Sequence, residues 1–477
     1  MEESRQTCAS DLSMIKDHPV FNQIHQDFDK HLKNLQEAIR QPSVSAENRG
    51  VREMAELLVS KIRALGAECK LVETGGYPIV YGYLVAGAPR TILFYELYDV
   101  QPVTDEGWIV PPFAGEIINF MDRGLSILGR GTFNSKGCVI GFINVLDAFL
   151  KSGNKLPVNI RFMIEGEEEI GSIHLPEFIK SYKTELMQSD CVFQPYFGEN
   201  STGKTILNLG FKGLVYVELT CRGGEWGGPY ERDIHPLHSA WIDSTAWRLI
   251  QALGTMKNKD GEIIISGFSD QIAEPSESEL HLLNELEKTF DPRVILKDQG
   301  VKRFKWENLS NINLLKRNIR EPSINISGIY SGYCGAGAKT IMPREAKVKM
   351  DIRLVPDMEP EYVIKALRDH LDAKGYSDIE IKVFNAYPAS QTLPPEPSVL
   401  ALIRSVKKFA PGPVEVWPRY SGAAPHYLFS KELGLPFAVG GLGHGGRSHS
   451  TNEYVTVKGF KRHEVGIAAF MLEYGRR

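Results

Sequence analysis

A run of carboxylates follows a strongly apolar segment in the first half of the chain. The sequence EGEEE, residues 165–169, comes directly after VNIRFMI, which is typical of a buried strand. Neighbouring carboxylates repel one another, so at least one pKa should rise, as a general base requires, or a bound cation should relieve the repulsion. The alternative is an acidic loop in contact with water, because most runs of like charge are solvated.

Two glycine-rich segments carry other groups with chemical potential. Residues 129–137 form a turn with Lys136 near its end, but the spacing of a phosphate-binding GxxxxGK[ST] loop is missing. We therefore predict a tight turn that presents side chains, not a nucleotide site. His444 and His449 lie in the second segment, where metal binding, substrate binding and plain solvation all stay open. Arg353 lies in a predicted half-buried strand and could pair with a structural or a substrate carboxylate.

The elements that position these residues indicate an α/β unit interrupted by an α+β unit. After helical periodicity over residues 22–65, short apolar strands alternate with helices to about residue 205, which favours a largely parallel sheet. Residues 208–385 are rich in longer strands, although residues 258–318 look irregular apart from one helix. The α/β pattern resumes from residue 386 to the end. We predict a first domain formed by residues 18–207 and 386–477, with an inserted domain over residues 208–385.

Composition limits the classes of function. The chain has 477 residues, a net charge of −4 and no stretch of about 18 apolar residues, so we expect neither a nucleic-acid nor a membrane partner. Six cysteines are far apart, without a CxxC pair, and the first residues lack the pattern of a signal peptide. These features predict reduced thiols and a cytoplasmic location.

Seven motifs together resemble one known family. They are TILFYELYDVQP, EGWIVPPF, LGRGTFNSKG, IEGEEEIGS, SGYCGAGAKTIMP, DIRLVP and SHSTNEY. Their order and spacing are similar to those of the M20 metallopeptidases, above all the carnosinase and Cys-Gly dipeptidase branch. The resemblance implies a phosphorylase/hydrolase-like α/β catalytic domain with a two-zinc or two-manganese site. It also implies an inserted, ferredoxin-like lid domain that usually forms a homodimer, and cleavage of amide bonds in dipeptides and N-acyl amino acids.

The resemblance assigns roles to several residues of this chain. Glu168 matches the general base, and His235 matches the lid histidine that reaches the site of the neighbouring subunit. Glu169 and His449 match metal ligands. The positions expected to bind substrate are Lys136, Arg353 and Arg419.

Three other ligand positions differ from the family pattern. The first metal motif has Leu97 in place of its histidine, the bridging aspartate is replaced by Asn134, and Tyr196 aligns with a third aspartate. Since a catalytic zinc typically needs three protein ligands and an open position, we expect no metal or one weakly bound zinc or manganese ion.

Three hypotheses follow from this mixture of kept and lost positions. The first is an enzyme that acts at a C–N centre of a small amino-acid or peptide-derived carboxylate by acyl transfer, cyclisation, isomerisation or elimination. The second is a single-metal amide or dipeptide hydrolase with a rebuilt site. The third is a non-catalytic homologue that serves as a partner subunit. For the second hypothesis, the candidate substitute ligands are Glu96, Tyr196, Glu199 and His444.

Overall fold

The computed structural model describes residues 16–104, 106–306 and 308–476, so Cys8 lies outside the described residues. The chain divides into two compact units. The first lies within Met1–Leu209, Thr392–Trp417 and Leu428–Arg477, and the second consists of Gly210–Gln391 and Pro418–Tyr427. The role of the second unit as a lid stays a prediction.

The helices of the described residues, in chain order, are α1 (Pro19–Gln26), α2 (Phe28–Arg40), α3 (Val51–Ala64), α4 (Lys136–Lys151), α5 (Leu175–Ser181), α6 (Lys183–Leu186), α7 (Thr245–Gly254), α8 (Glu277–Glu287), α9 (Pro292–Asp298), α10 (Asn311–Arg320), α11 (Pro360–Ala373), α12 (Pro397–Phe409) and α13 (Val457–Gly475). The strands are β1 (Glu68–Val72), β2 (Ile79–Leu84), β3 (Thr91–Leu97), β4 (Glu116–Asn119), β5 (Leu125–Leu128), β6 (Asn159–Glu165), β7 (Cys191–Gln194), β8 (Thr205–Asn208), β9 (Gly210–Arg222), β10 (Ser323–Ser331), β11 (Glu345–Leu354), β12 (Glu380–Tyr387), β13 (Ser390–Gln391), β14 (Val414–Trp417), β15 (Tyr420–Ala423), β16 (Phe437–Val439), β17 (Gly445–Gly446) and β18 (Tyr454–Thr456).

A six-stranded sheet with the order β1-β2-β6-β3-β7-β16 forms the centre of the first unit. The four strands from β6 to β16 are parallel, whereas β1 and β2 are antiparallel. Every residue of β3 and β6 is buried, which explains why both segments are almost continuously apolar. Helix α4 covers the sheet, with Phe142 stacked on Phe94 at 3.8 Å between ring centroids. The carboxyl ends of β3, β6 and β7 therefore meet at one edge of the sheet.

A smaller antiparallel sheet in the same unit has the order β17-β18-β5-β4. Strand β5 leads into the turn at residues 129–135, and β17 and β18 flank the loop that contains His449. Because β18 pairs directly with β5, with Tyr454 opposite Leu128, these two loops leave the sheet side by side.

The second unit contains an antiparallel sheet with the order β10-β11-β9-β12, and β13 and β15 pair with the start of β9. Alternate side chains of β11 are buried, and they form a core with residues of α7 and α11 such as Leu249 and Leu367. This alternation is that of a sheet with one covered face.

Residues 258–318 are more regular than the sequence indicated. They contain α8, α9 and α10, where we predicted one helix. Helix α9 has only seven residues, with Asp291 as its N-cap. Helix α10 buries only Leu315 and Ile319. A helix of seven residues is too short to establish a clear period, and the strongly polar sequence of α10 is easily mistaken for a loop.

The five described cysteines are free, and four of them are buried. Within residues 16–104, 106–306 and 308–476, no helix combines the length and apolar character needed to cross a membrane. The cytoplasmic location stays a prediction.

Candidate active site

The carboxylate run lies at the carboxyl edge of the parallel sheet. Strand β6 ends at Glu165, and Glu168 opens a 3₁₀ turn that ends at Ile170. Asp99, which follows β3, accepts hydrogen bonds from the backbone N–H groups of Glu168 at 3.2 Å and Glu169 at 3.0 Å. The buried Asp99 carboxylate thus fixes the backbone from which the two glutamate side chains project.

Glu167 belongs to the framework and not to the open part of the site. Its carboxylate accepts hydrogen bonds from the backbone N–H groups of Tyr77 and His174, both at 3.0 Å, and contacts His174 Nδ1 at 2.9 Å. Glu165 is also buried, with Oε1 bound by the Tyr95 hydroxyl at 2.6 Å. Of the run, only Glu168 and Glu169 stay available for chemistry.

Glu169, Asn134, His449 and Gln101 form a cluster, called here the Glu169 cluster. Glu169 Oε1 accepts a hydrogen bond from Asn134 Nδ2 at 2.8 Å, and Oε2 accepts one from Gln101 Nε2 at 2.8 Å. His449 Nε2 lies 3.1 Å from Glu169 Oε2 and 3.1 Å from Asn134 Nδ2. The structure therefore brings together Glu169 and His449, which lie far apart in the sequence, with Asn134 between them.

Glu453 holds Asn134 in place. Its Oε1 accepts hydrogen bonds from the backbone N–H groups of Phe133 at 3.0 Å and Asn134 at 2.9 Å. Its other oxygen, Oε2, forms a buried ion pair with Arg130 at 2.7 Å. Since Glu453 belongs to the loop of His449, this contact joins the two loops that build the Glu169 cluster.

Like charges and burial shift the pKa values of the site. Desolvation, followed by repulsion from Glu169 and Asp99, raises the pKa of Glu168 to about 8. Desolvation raises the pKa of Asp99 to about 7. The hydrogen bond to Glu169 raises the pKa of the His449 imidazole above its usual value, against the opposing effect of burial. The carboxylates of the site therefore repel one another when all are ionised. Protonation of one carboxyl or binding of a cation relieves this repulsion.

The positions where the family resemblance predicts further ligands have an apolar side chain or a side chain with another partner. Leu97, the last residue of β3, is 5% exposed and contributes no donor atom. The Tyr196 hydroxyl accepts a hydrogen bond from Asn208 Nδ2 at 3.0 Å. Among the described residues, the group of three His, Cys, Asp or Glu side chains that could hold a metal lies elsewhere, at Asp27, His31 and Asp147.

The donor set at the candidate active site fits one cation but not two. A carboxylate from Glu169 and an imidazole from His449 converge, and the Asn134 carboxamide would supply a weak third ligand through its oxygen. Nothing in the described site replaces the donors that Leu97 and Tyr196 fail to provide.

The predicted substitute ligands are engaged in structural contacts. Glu199 binds Arg462, with Nε at 2.8 Å from Oε1, and accepts the Gly443 N–H at 2.8 Å. His444 contacts the Glu199 carbonyl through Nδ1 at 2.9 Å and the Tyr454 hydroxyl through Nε2 at 3.2 Å. Because of these contacts, the side chains of Glu199 and His444 have no ligand atom left for a metal.

Glu96, the remaining substitute candidate, is 2% exposed and faces the interior. Its Oε1 has no hydrogen-bond partner among the described residues, and desolvation raises the pKa of its carboxyl well above the usual value. Burial therefore favours the protonated form of this carboxyl, and a protonated carboxyl is a poor metal ligand.

Two of the three residues expected to bind substrate are buried. Lys136 donates a hydrogen bond to the Gln41 carbonyl at 2.5 Å, and desolvation lowers its pKa to about 7. In the second unit, Arg419 is fully buried, lies 3.1 Å from Glu279 and donates to the Ile319 carbonyl at 2.8 Å. These environments are those of structural cations, and no substrate could reach either group without rearrangement.

Arg353 and His235 keep solvent access within the second unit. Arg353 lies on β11, is 32% exposed and pairs with Asp351 at 3.1 Å. His235 is exposed, and its Nδ1 accepts the Leu237 N–H at 3.1 Å. Their side chains are therefore free to contact another molecule.

Comparison with known proteins now gives the family. The model of peptidase family M20/M25/M40 matches residues 93–473, which include every residue of the Glu169 cluster. The chain belongs to this peptidase family. The Cys-Gly metallodipeptidase DUG1 of Candida albicans is 29% identical over 96% of this chain and 97% of its own length. The mouse Beta-Ala-His dipeptidase is 30% identical over 74% of this chain and 73% of its own.

Solved structures agree with this membership. An M20 family metallo-carboxypeptidase, Sso-CP2 from Sulfolobus solfataricus, superposes with a TM-score of 0.84 at 29% identity and covers 93% of this chain and 99% of its own. The dipeptidase Dug1p from Saccharomyces cerevisiae gives a TM-score of 0.78 at 26% identity, over 96% of this chain and 98% of its own. The mixed α/β peptidase fold of the family is thus present in this protein.

Sequence reasoning missed three residues that shape the site. Gln101, Arg130 and Glu453 contact the Glu169 cluster or its supporting turn. Each lies inside one of the family motifs, respectively YDVQP, GRGTFN and STNEY. The sequence could have indicated these residues, because each is a charged or amide side chain inside a matched motif and lies within five residues of a candidate ligand.

Proposed function

We propose that this protein hydrolyses the amide bond of a small, peptide-like carboxylate substrate with at most one divalent cation. The names of its relatives, a Cys-Gly metallodipeptidase and a Beta-Ala-His dipeptidase, favour this hydrolase hypothesis over acyl transfer, cyclisation, isomerisation or elimination. The observation that carries the proposal is the position of Glu168 directly beside the Glu169 cluster at the carboxyl edge of the sheet.

Each residue has a defined task in this mechanism. Glu168 takes the proton of the attacking water and returns it to the leaving amine, as a general base and then a general acid. Asp99 keeps the backbone of Glu168 fixed during both transfers, because it accepts the N–H of that residue. Glu169, His449 and Asn134 would hold the cation. When bound, such a cation polarises the carbonyl and lowers the pKa of water from 15.7 to about 7.

The second unit is proposed to recognise the substrate. Arg353 is a partly exposed cation that suits a substrate carboxylate, and His235 is the proposed oxyanion donor. In a homodimer, His235 would act on the site of the neighbouring subunit, with the second unit as lid. Lys136 and Arg419 are left out of this proposal because both are buried.

Metal-dependent hydrolysis tests the proposal. The full chain, purified without a tag and stripped with EDTA, is assayed by mass spectrometry on Cys-Gly and β-Ala-His, before and after addition of zinc or manganese. We expect hydrolysis to return when the ion is added back, and to be lost in His449→Gln. His281→Gln, an exposed histidine on α8, is the matched control and should keep full activity. A stripped protein that hydrolyses at an undiminished rate would refute the role of the cation.

Acyl transfer to an amine is the second candidate, and one observation favours it. Both Glu169 oxygens accept amide hydrogens, from Asn134 and Gln101, so the carboxylate is satisfied without any cation. An amine needs only to lose a proton to attack, which a general base such as Glu168 can arrange without a metal. Amide products formed from an activated dipeptide and an added amine, at a rate insensitive to EDTA, would support this candidate.

The third hypothesis, a non-catalytic partner subunit, makes a different prediction. If the chain only binds a partner, Glu168→Gln leaves the biological activity of the purified complex unchanged. Loss of that activity in Glu168→Gln excludes the hypothesis.

A further inference from the structure

A second cluster of candidate ligands lies among the helices of the first unit and shares no residue with the Glu169 cluster. It consists of Asp27, His31 and Asp147, and is called here the Asp27 cluster. Asp27 and His31 lie one helical turn apart at the start of α2, and Asp147 lies on α4. Each of the three side chains has one potential ligand atom within 4.8 Å of those of the other two.

His31 is the part of this cluster that calls for an explanation. Its side chain is fully buried, and Nδ1 lies 2.8 Å from Glu464 Oε2, while Nε2 has no hydrogen-bond partner among the described residues. The Glu464 carboxylate accepts the Nδ1 proton and is itself fixed by Asn144 Nδ2 at 2.9 Å. The lone pair therefore belongs to Nε2, and a buried acceptor without a donor costs free energy.

At metal sites, a ligand histidine usually donates the hydrogen of its other ring nitrogen to a carboxylate. The carboxylate fixes the tautomer, orients the ring and makes the other nitrogen a better ligand. Glu464 stands in this relation to His31, because it holds Nδ1 and leaves Nε2 open. The two aspartates of the cluster supply the oxygen donors that complete a set of three protein ligands.

The two aspartates already surround a positive charge. Lys151 Nζ lies 3.0 Å from Asp27 Oδ2 and 2.8 Å from Asp147 Oδ2, and Lys30 Nζ lies 2.9 Å from Asp147 Oδ2. The side chains of Lys30 and Lys151 are 53% and 37% exposed, so both can swing into solvent. The Lys151 ammonium thus stands between two carboxylates where a metal ion would stand, and it competes with such an ion.

We propose that Asp27, His31 and Asp147 bind one divalent transition-metal ion, with the Lys151 ammonium displaced into solvent. The imidazole ligand favours zinc, cobalt or nickel over magnesium and calcium, which prefer oxygen donors only. The bound ion ties the start of α2 to α4 and, through Glu464, to α13. Its role is to stabilise this helical layer, and it takes no part in amide cleavage.

The experiment uses the full chain in a Glu169→Gln, His449→Gln background, which removes metal binding at the candidate active site. Cobalt(II) and zinc are titrated separately after EDTA treatment, with cobalt absorption, calorimetry and the melting temperature as readouts. We expect one ion per chain and a rise in the melting temperature.

Four variants locate the binding site. Asp147→Asn should abolish stoichiometric binding, and Glu464→Gln should weaken it by about 10–100-fold, as outer-shell changes typically do. Lys151→Met removes the competing ammonium and should tighten binding several-fold, a gain that no loss of folding could imitate. Asp29→Asn, an exposed carboxylate on the same helix, is the matched control and should bind like the background protein.

These results test the metal site independently of the proposed amide hydrolysis. Absence of saturable binding, or equal affinity in the Asp147→Asn and Asp29→Asn variants, overturns the metal site. Neither result bears on amide hydrolysis, because the background protein already lacks the catalytic ligands.

Discussion

The Glu169 cluster and the Asp27 cluster each place a histidine beside carboxylate groups. The two histidines differ in their exposure and in the hydrogen bonding of Nε2. His449 is 52% exposed, and its Nε2 contacts Glu169 and Asn134. His31 is fully buried, and its Nε2 lacks a partner among the described residues. The first cluster lies within the family motifs, and its Asn134 is an amide where the resemblance predicts an aspartate. The second lies in no family motif but brings three candidate ligands together, so motif position and ligand chemistry need separate arguments.

The largest expected effect is on catalysis at the first cluster. Glu168→Gln removes the general base but keeps the backbone bonds to Asp99, and it should lower kcat by about 10²–10⁴-fold. Steady-state hydrolysis of the best dipeptide measures this change. Glu177→Gln, an exposed glutamate on α5, serves as control. A Glu168→Gln enzyme with kcat within threefold of the native value would remove Glu168 from the mechanism.

The next effect is on the support of the first cluster. Glu453→Ala breaks a buried ion pair with Arg130 and leaves two backbone N–H groups without their acceptor. Since loss of one partner of a buried pair typically costs 3–5 kcal/mol, we expect about that decrease in the free energy of unfolding. Urea denaturation measures it. A decrease below about 1 kcal/mol would show that the loops are held together by other contacts.

His463 is a second buried histidine that extends the comparison, because its Nε2 also has no hydrogen-bond partner among the described residues. It is fully buried on Phe197, Nδ1 contacts the Leu442 carbonyl at 3.2 Å, and desolvation lowers its pKa to about 4. Between pH 6.5 and 4 the unfolded chain therefore binds a proton that the folded chain does not. The contribution of His463 to stability should therefore fall by about 1.4 kcal/mol per pH unit as the pH decreases through this range, with no such loss above pH 6.5.

His463→Phe tests this cause, since the ring keeps its stack on Phe197 but cannot take up a proton. Urea midpoints at pH 7, 6 and 5 should then fall less steeply than in the native protein. An identical slope in both proteins would assign the acid sensitivity to other groups.

A smaller effect concerns metal affinity at the first cluster. Asn134→Asp restores a carboxylate at the bridging position and should tighten zinc binding by about tenfold, because an ionised carboxylate is a far better ligand than an amide. Calorimetry on the stripped protein in an Asp147→Asn background, which removes binding at the Asp27 cluster, measures the change. Unchanged affinity in Asn134→Asp would indicate that position 134 does not contact the cation.

The smallest effect is expected from Lys30, which pairs with Asp147 of the Asp27 cluster. Lys30→Met removes one partly exposed ion pair with Asp147, and such pairs typically contribute 1 kcal/mol or less. Thermal unfolding of the metal-free protein should therefore change little. A large loss of stability would mean that the Asp27 cluster is a structural ion-pair network that depends on its lysines.

The sequence predicted the parts of the site that local pattern determines. Alternating strands and helices placed β3 and β6 correctly, and the motifs led to Glu169 and His449, which the fold brings to 3.1 Å of each other. The burial of Lys136 and Arg419 escaped prediction, because it depends on packing between segments distant in sequence. His31 gave no signal at all, since its partner Glu464 lies on the last helix of the chain.

Main-chain hydrogen bonds have a consequence for how this family can change its chemistry. Asp99 and Glu453 grip the backbone N–H groups at positions 168, 169, 133 and 134, and not the side chains there. The loops consequently keep their path whichever side chain occupies position 134, 168 or 169. Because these hydrogen bonds involve only the backbone, the side chains at these positions can be replaced one at a time without loss of the fold. Asn134 occupies one such position, where the family resemblance predicts an aspartate.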